Sequence, residues 1–265
     1  MRSLYDAPRY YGMLFDARVD DVRFYVALAD HVASALGHPA HVIDCGAGAG
    51  RVTVALASRG HLVTAVENAP AMVEALRERL AALPDEVRAR VTIRDEDAEN
   101  LALEAGSADL ALCAFNGLAH LETVSQLAAF FARTRAHLAP GGLFAFDVWL
   151  PAPALLSGAE TRSPWMPDPH GGGLVQCLER FAYEPLSQVL TASIVIVDER
   201  GRTRDRLQTR LRQFFPQETL ALLAHHGLRV LHRTASFERF PDAARASCAE
   251  PDEMLAYVCA VIPQV

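Results

Sequence analysis

His41-Val42-Ile43-Asp44-Cys45-Gly46-Ala47-Gly48-Ala49-Gly50-Arg51 is the stretch on which the fold turns. It opens with a short apolar run, passes through three glycines in five residues, and enters a helix pattern from Arg51 to Ser58 that stops at Gly60. A strand that ends in a glycine turn and opens a helix brings backbone N–H groups close to whatever lies above it. A tight turn with no ligand is the bland alternative, but so many glycines lose much conformational entropy for a mere connection.

Working outward, apolar runs alternate with amphipathic ones up to about residue 148, the pattern of a parallel sheet flanked by helices. His61 to Val66 reads as a second strand, and Pro70 suits the first turn of a helix with Met72, Val73, Leu76 and Leu80 on one face. Val91 to Ile93, Asp109 to Phe115 and, after the Ala139-Pro140-Gly141-Gly142 turn, Gly142 to Val148 supply three more strands. Residues 151–173 hold five prolines and the Gly171-Gly172-Gly173 run, which predicts a loop or linker. Leu174 to Tyr183, Gln188 to Val197 and Thr203 to Phe215 read as an antiparallel meander, followed by a helix from Gln217 to His226. Leu228 to Phe237 and Glu253 to Ile262 read as a closing hairpin at one edge of the main sheet. The expectation is an α/β fold: a doubly wound, seven-stranded, mostly parallel sheet with an antiparallel β lid inserted after strand 5. Residues 1–150 and 216–265 would form the core with an N-terminal helical flap, and 151–215 the lid.

Composition narrows the function. The 265 residues are 51% hydrophobic and carry a formal charge of -7, the wrong balance for a surface that tracks phosphates. Nucleic acid is therefore not expected as a partner. Five cysteines with no C-x-x-C pair (Cys45, Cys113, Cys177, Cys248 and Cys259) fit neither a zinc cage nor a disulfide framework. The first residues do not read as a secretory signal, and no apolar run reaches the length that crosses a bilayer. A cytoplasmic protein with no metal, monomeric or homodimeric, is the expectation.

Spacing decides what the turn holds. A dinucleotide fingerprint wants G-x-G-x-x-G, yet the sixth position is Arg51 counted from Gly46 and Thr53 counted from Gly48. The pattern present, Asp-x-Gly-x-Gly-x-Gly, fits a cofactor without phosphate and offers Asp44 to a cationic group. Glu67, at the end of the second strand, can accept both hydroxyls of a ribose. A solvated strand-end charge is its plain alternative.

These residues resemble the class I S-adenosylmethionine-dependent methyltransferases over nearly the whole chain. Asp44 to Arg51 resembles the family's first motif, Val66-Glu67-Asn68 with Met72 its second, and Asp97-Ala98 the acidic residue and N–H that meet adenine. Phe115-Asn116-Gly117-Leu118 occupies the fourth motif, and Leu138 to Gly142 precedes the fifth strand as in the family. The resemblance implies a Rossmann-like methyltransferase fold with S-adenosylmethionine as cofactor and S-adenosylhomocysteine as product. It implies Tyr11, Asp44, Gly46, Ala47, Gly48, Arg51, Glu67, Asn68, Met72, Asp97, Ala98, Phe115 and Asn116 as cofactor-binding residues. Tyr10-Tyr11, Asp21 to Tyr25, Asn116 with His120-Leu121, Tyr183-Glu184-Pro185 with Gln188, and Leu211 to Phe215 further resemble a small-molecule subgroup of toxoflavin-type N-methyltransferases and phosphonate O-methyltransferases. Ala47, Ala49 and Asn68 depart from the residues common there. The partner implied is a small-molecule methyl acceptor, with an aromatic heterocycle in a biosynthetic pathway the leading idea. An NAD-type oxidoreductase and a non-catalytic relative that serves as a scaffold are the competing readings.

Methyl transfer from a sulfonium is an in-line displacement, in which positioning contributes on the order of 7 to 11 kcal/mol. His120 is the candidate base, because an ordinary histidine takes a proton near neutral pH; a histidine bonded to local backbone is equally open. Asp147 is the second catalytic candidate, with an N-cap as alternative. Trp149 offers a flat face to an acceptor or packs under the lid, and Tyr10 belongs to an aromatic cluster that either packs or covers the site. Arg212 can bind an anionic acceptor or face solvent, as Arg210 is expected to do. His170-Gly171-Gly172-Gly173 lacks the nucleophile elbow that would make it an oxyanion turn.

Overall fold

The computed structural model describes residues 1–235, 237 and 254–262. In chain order its elements are β1 (Arg2–Ser3), α1 (Pro8–Phe15), α2 (Asp20–Leu36), β2 (His41–Cys45), α3 (Arg51–Ser58), β3 (Leu62–Glu67), α4 (Pro70–Ala81), α5 (Asp85–Arg88), β4 (Val91–Asp95), β5 (Ala108–Cys113), α6 (Val124–His137) and β6 (Leu138–Trp149). There follow α7 (Pro153–Leu156), β7 (Glu160–Arg162), β8 (Met166–Pro167), β9 (Leu174–Glu184), β10 (Val189–Asp198), β11 (Thr203–Arg212), α8 (Pro216–His225), β12 (Leu228–Thr234) and β13 (Met254–Val261).

The main sheet has seven strands in the order β12-β13-β6-β5-β2-β3-β4. Neighbours from β6 to β4 are parallel, and β13 runs antiparallel to both β6 and β12. Its central strands are buried along nearly their whole length, as a sheet covered on both faces requires. On one face Phe130, Phe131, Phe144, Phe146 and Tyr257 form an aromatic core, with Phe146 stacked between Phe144 and Tyr257. On the other, Phe24, Tyr25 and Leu28 of α2 pack with Leu56 of α3. The chain leaves β2 toward β3 and β4, then returns to β5 and β6 on the opposite side. That reversal opens a crevice at the carboxyl ends of β2 and β5, the place where sheets of this kind hold ligands.

The second sheet runs β1-β11-β10-β9-β7, with β8 also paired to β9. The meander expected from 174 to 215 is present, and β10 alternates buried with half-buried residues as a strand covered on one face should. Three features differ from the sequence reading. Residues 151–173 are not plain loop but hold α7, β7 and β8, because β9 supplies a pairing edge that composition does not reveal. β6 starts at Leu138 rather than Gly142; the expected turn survives as a register irregularity beside Gly141, whose φ is +84°. The third is that the N-terminus pairs with the lid: Arg2 and Ser3 lie parallel to Leu207 and Gln208, and Leu4, Ala7 and Tyr10 pack on Val175, Ile194 and Leu207. Ser236, Cys248 and Glu253, all included in the sequence reading, lie outside the described residues. No helix among the described residues is long and apolar enough to cross a membrane.

Candidate active site

A cavity of about 280 Å³ occupies the crevice. Its floor is the turn after β2, where Gly46, Gly48 and Gly50 take φ of +74°, +56° and +85°, the left-handed region that penalises a side chain. A Cβ on Gly46 or Gly48 would meet nothing within 4 Å, so bare backbone faces open space there. At Gly50 a Cβ would lie 2.3 Å from Leu76 Cδ1, so this glycine serves the close approach of α3 to α4.

Two carboxylates frame that turn. Asp44 is buried and accepts a 2.6 Å hydrogen bond from the Thr53 hydroxyl; burial pushes its carboxyl up to about 6. Glu67 accepts from Gly48 N–H through Oε2 and from Ala69 N–H through Oε1, each at 2.8 Å. Burial raises its pKa while those backbone donors oppose the rise. A carboxylate clamped on both oxygens by backbone keeps one lone pair on each for a ligand, with its orientation set in advance.

The opposite wall is built around two residues in the left-handed region, Phe115 and Asn116, with φ of +53° and +59°. Asp147 holds them there. Its Oδ1 accepts from Phe115 N–H at 2.8 Å and from the Tyr25 hydroxyl at 2.5 Å, and its Oδ2 accepts from Asn116 N–H at 2.8 Å. Asp147 is fully buried behind the wall and does not line the cavity, which corrects the expectation of a catalytic carboxylate. Its pKa is raised to about 6 by burial, with its three donors pulling the other way. Arg51 lines the cavity, but its guanidinium is bidentate on Asp21 at 2.8 and 2.5 Å, bonds the Arg18 carbonyl, and lies 5.1 Å from the Phe115 ring centre.

His120 ends a short 3₁₀ turn, Gly117–His120, at the mouth of this wall. Its Nε2 lies 2.7 Å from the Tyr5 hydroxyl, and the two rings meet edge-on. The ring stays exposed at the cavity mouth, and the protein packed on its cavity side lowers its pKa. Tyr5, Tyr11 and Asp16 close the cavity from the N-terminal segment.

Of the residues expected to bind a cofactor, Tyr11, Asp44, Gly46, Ala47, Gly48, Arg51, Glu67, Asn68, Ala98 and Phe115 line the cavity. Met72 is fully buried in the core, and Asn116 is buried with its Oδ1 accepting from Trp149 N–H. Asp97 is set back from the lining and bonded by Asn68 Nδ2 at 2.6 Å, while Glu96 and Glu99 beside it reach the cavity. None of the three expected acceptor-facing residues lines it. Tyr10 packs against the lid sheet, with its ring edge on His170. Trp149 packs edge-on to Phe115, and Arg212 is buried, paired with Glu218 at 2.7 Å. Arg210 is exposed, as expected, and its guanidinium also pairs with Glu122, tying lid to core. Sequence reading missed Tyr5 and Thr53, and it marked Asp21 and Tyr25 through the resemblance without seeing them as buried supports of the wall. A pattern search weighs glycines and strand-end acids, and nothing local marks a tyrosine that meets a histidine 115 positions away.

The described residues contain no cluster of three potential metal ligands. Sheet order, glycine turn and clamped strand-end carboxylate together make up a Rossmann-like methyltransferase fold with its crevice at the carboxyl ends of the central strands. Residues 42–142 match the family model described as a methyltransferase domain. The N-methyltransferase FrzE of Cladobotryum sp is 30% identical over 138 residues, 47% of this chain and 47% of that protein, so the match spans about half the length of this curated relative. Among solved structures, the CcbJ methyltransferase from Streptomyces caelestis aligns with a TM-score of 0.77 at 26% identity, over 98% of this chain and 99% of that one. CalS10 from Micromonospora echinaspora, an amino pentose methyltransferase involved in calicheamicin biosynthesis and solved with S-adenosylmethionine bound, aligns with a TM-score of 0.69 at 21% identity, over 94% and 95%.

Proposed function

We propose that the protein transfers a methyl group from S-adenosylmethionine to a nitrogen of a small natural product in the cytoplasm. The observation that carries this reading is the composition of one cavity. A glycine turn with clamped Glu67 lies at one end, and a cage of Tyr5, Tyr11, Phe115 and His120 lies at the other. S-adenosylmethionine supplies an electrophilic methyl on a sulfonium. Glu67 receives the ribose hydroxyls, Gly46 and Gly48 give room beside the backbone, Asp44 answers the cationic end, and Ala98 with the acidic residues around it borders the base. Asp147, through Phe115 and Asn116, and Asp21, through Arg51, hold the wall. The lid of residues 151–215 and the N-terminal segment roof the acceptor and keep water out.

Charge favours nitrogen over an anionic oxygen. A phosphonate or carboxylate acceptor wants an unengaged arginine in the cavity lining, but the arginine that lines this cavity, Arg51, faces Asp21. The toxoflavin-like half of the sequence resemblance is thus better supported than the phosphonate half, and aromatic walls suit a flat heterocycle.

Calorimetry with S-adenosylhomocysteine and with NAD tests the class, and mass spectrometry for a product one methyl group heavier tests the reaction on a panel of amines. Glu67→Ala should weaken S-adenosylhomocysteine by about ten- to a hundredfold, as hydrogen bonds to a charged acceptor are worth about 1.5 to 3 kcal/mol. Binding of NAD without S-adenosylhomocysteine would overturn the reading.

A further inference from the structure

We propose that Tyr5 takes the proton from the acceptor nitrogen, with His120 behind it as the group that receives the phenolic proton in turn. The proposal rests on the N-methyltransferase reading and adds to it the proton path and the class of nitrogen.

The geometry comes first. Tyr5 and His120 both line the cavity, with the phenol oxygen 2.7 Å from Nε2. The carbonyl of Arg210 lies against the imidazole and favours a proton on it. A carbonyl only accepts, and Nε2 already faces Tyr5, so the arrangement that satisfies both neighbours puts the ring proton on Nδ1 and leaves Nε2 bare. Tyr5 then donates to Nε2 and keeps its oxygen lone pairs for a donor arriving from the cavity. Thr209, whose buried hydroxyl has no hydrogen-bond partner among the described residues, stands near Tyr5 and lowers the cost of charge on the phenol.

Placement of Tyr5 is over-determined. Its 3₁₀ turn, Leu4–Asp6, is capped by Ser3 and Asp6 reciprocally. Arg2 and Ser3 are paired to β11, and Arg2 reaches Asp205 at 2.5 Å. The charged neighbours of the His120 ring, Glu122 and Arg210, neutralise each other at 2.7 Å. A tyrosine clipped from below by the lid strand and capped from above by a histidine is held like a working group rather than a packing one.

The step balances as follows. The nitrogen lone pair forms the new N–CH₃ bond while the S–CH₃ bond breaks and leaves its electrons on sulfur. The N–H proton passes to the Tyr5 oxygen and the phenolic proton passes to His120 Nε2, giving a neutral methylated amine and an imidazolium. The protein packed around the exposed His120 ring makes that imidazole a weaker base than an ordinary histidine, and desolvation keeps the Tyr5 phenol neutral at rest. An alkylammonium product would hold its proton against such a base. A ring N–H or arylamine of an aromatic heterocycle forms a far more acidic cation, and it is the class matched to this relay.

Sinefungin tests the relay, because it presents an ammonium where the reactive methyl would stand and so meets the acceptor side without any acceptor. In calorimetry on the full chain, Tyr5→Phe should weaken sinefungin about tenfold, the loss of one charge-assisted hydrogen bond. S-adenosylhomocysteine should stay within about twofold of wild type, since it carries no donor at that point. In the wild-type protein labelled with ¹⁵N in histidine, His120 should show protonated Nδ1 and bare Nε2, and Tyr5→Phe should move that Nε2 resonance alone. An unchanged ratio of sinefungin to S-adenosylhomocysteine affinity, or the reverse tautomer in the wild type, overturns the relay. The tautomer measurement decides even where the variant does not fold. Failure of the wild type to bind S-adenosylhomocysteine overturns the methyltransferase reading itself, a different result from normal binding with a silent Tyr5.

Discussion

Replacing Gly50 with alanine asks whether the glycine turn is built for backbone geometry. Two penalties meet at this residue. Its φ of +85° lies in the left-handed region, where an alanine costs roughly 1 to 2 kcal/mol. The added Cβ would lie 2.3 Å from Leu76 Cδ1, and Leu76 is fully buried among Ala47, Ala65 and Leu80, so overpacking adds roughly 1 to 3 kcal/mol. The expected loss is about 2 to 5 kcal/mol, a fall in Tm of roughly 5 to 15 °C for a chain of this size. Urea unfolding of Gly50→Ala, Leu76→Ala and the double variant separates the two causes. Leu76→Ala alone should cost about 2 to 5 kcal/mol through the cavity it leaves. The alanine Cβ enters that space, so the double variant should be more stable than the sum of the single losses by about 1 to 3 kcal/mol. S-adenosylhomocysteine affinity followed in parallel should fall in Gly50→Ala and recover partly in the double variant. A Tm within about 2 °C of wild type, or a coupling below about 0.5 kcal/mol, would refute the reasoning.

Arg51→Lys should destabilise by about 1 to 3 kcal/mol in urea unfolding, because an ammonium cannot reproduce the bidentate contact with buried Asp21 or cover the Phe115 ring; an unchanged midpoint would mean the pair contributes nothing. Asp44→Asn should act in a pH-dependent way. The folded pKa of Asp44, about 6, lies above the 3.8 of an unperturbed aspartate, so the fold favours the protonated form. Its contribution is fully present below about pH 4 and is lost as pH rises through 6. Asparagine, which stays neutral, should therefore stabilise the ligand-free protein at pH 7.5 by up to about 3 kcal/mol and do little at pH 4. The same variant should bind S-adenosylhomocysteine more weakly at pH 7.5, and an equal stability change at both pH values would show that Asp44 is not the titrating group.

Local chemistry determines the strands, the helix starts and the glycine turn. Apolar runs of strand length, prolines at the first turn of α4 and α8, and glycines where φ must be positive act within a few residues of one another, so they are readable along the chain. Asp44 and Glu67 were legible for the same reason, since both are acids at the ends of strands beside that turn. Tertiary structure alone decided which polar side chains meet the cavity. Asp147 and His120 look alike in the sequence, each a titratable group near the carboxyl end of a central strand. Yet Asp147 has its oxygens turned into the protein by Tyr25 and two backbone N–H groups, and His120 turns its ring toward Tyr5. Arg212 and Tyr10 point away from the cavity because Glu218 and the lid sheet hold them. Each of these orientations is chosen by partners from distant segments. Burying a polar group without a partner costs more than any local preference can offset, and so the packed fold, rather than the chain's own neighbourhood, sets the direction of every charged side chain around the site.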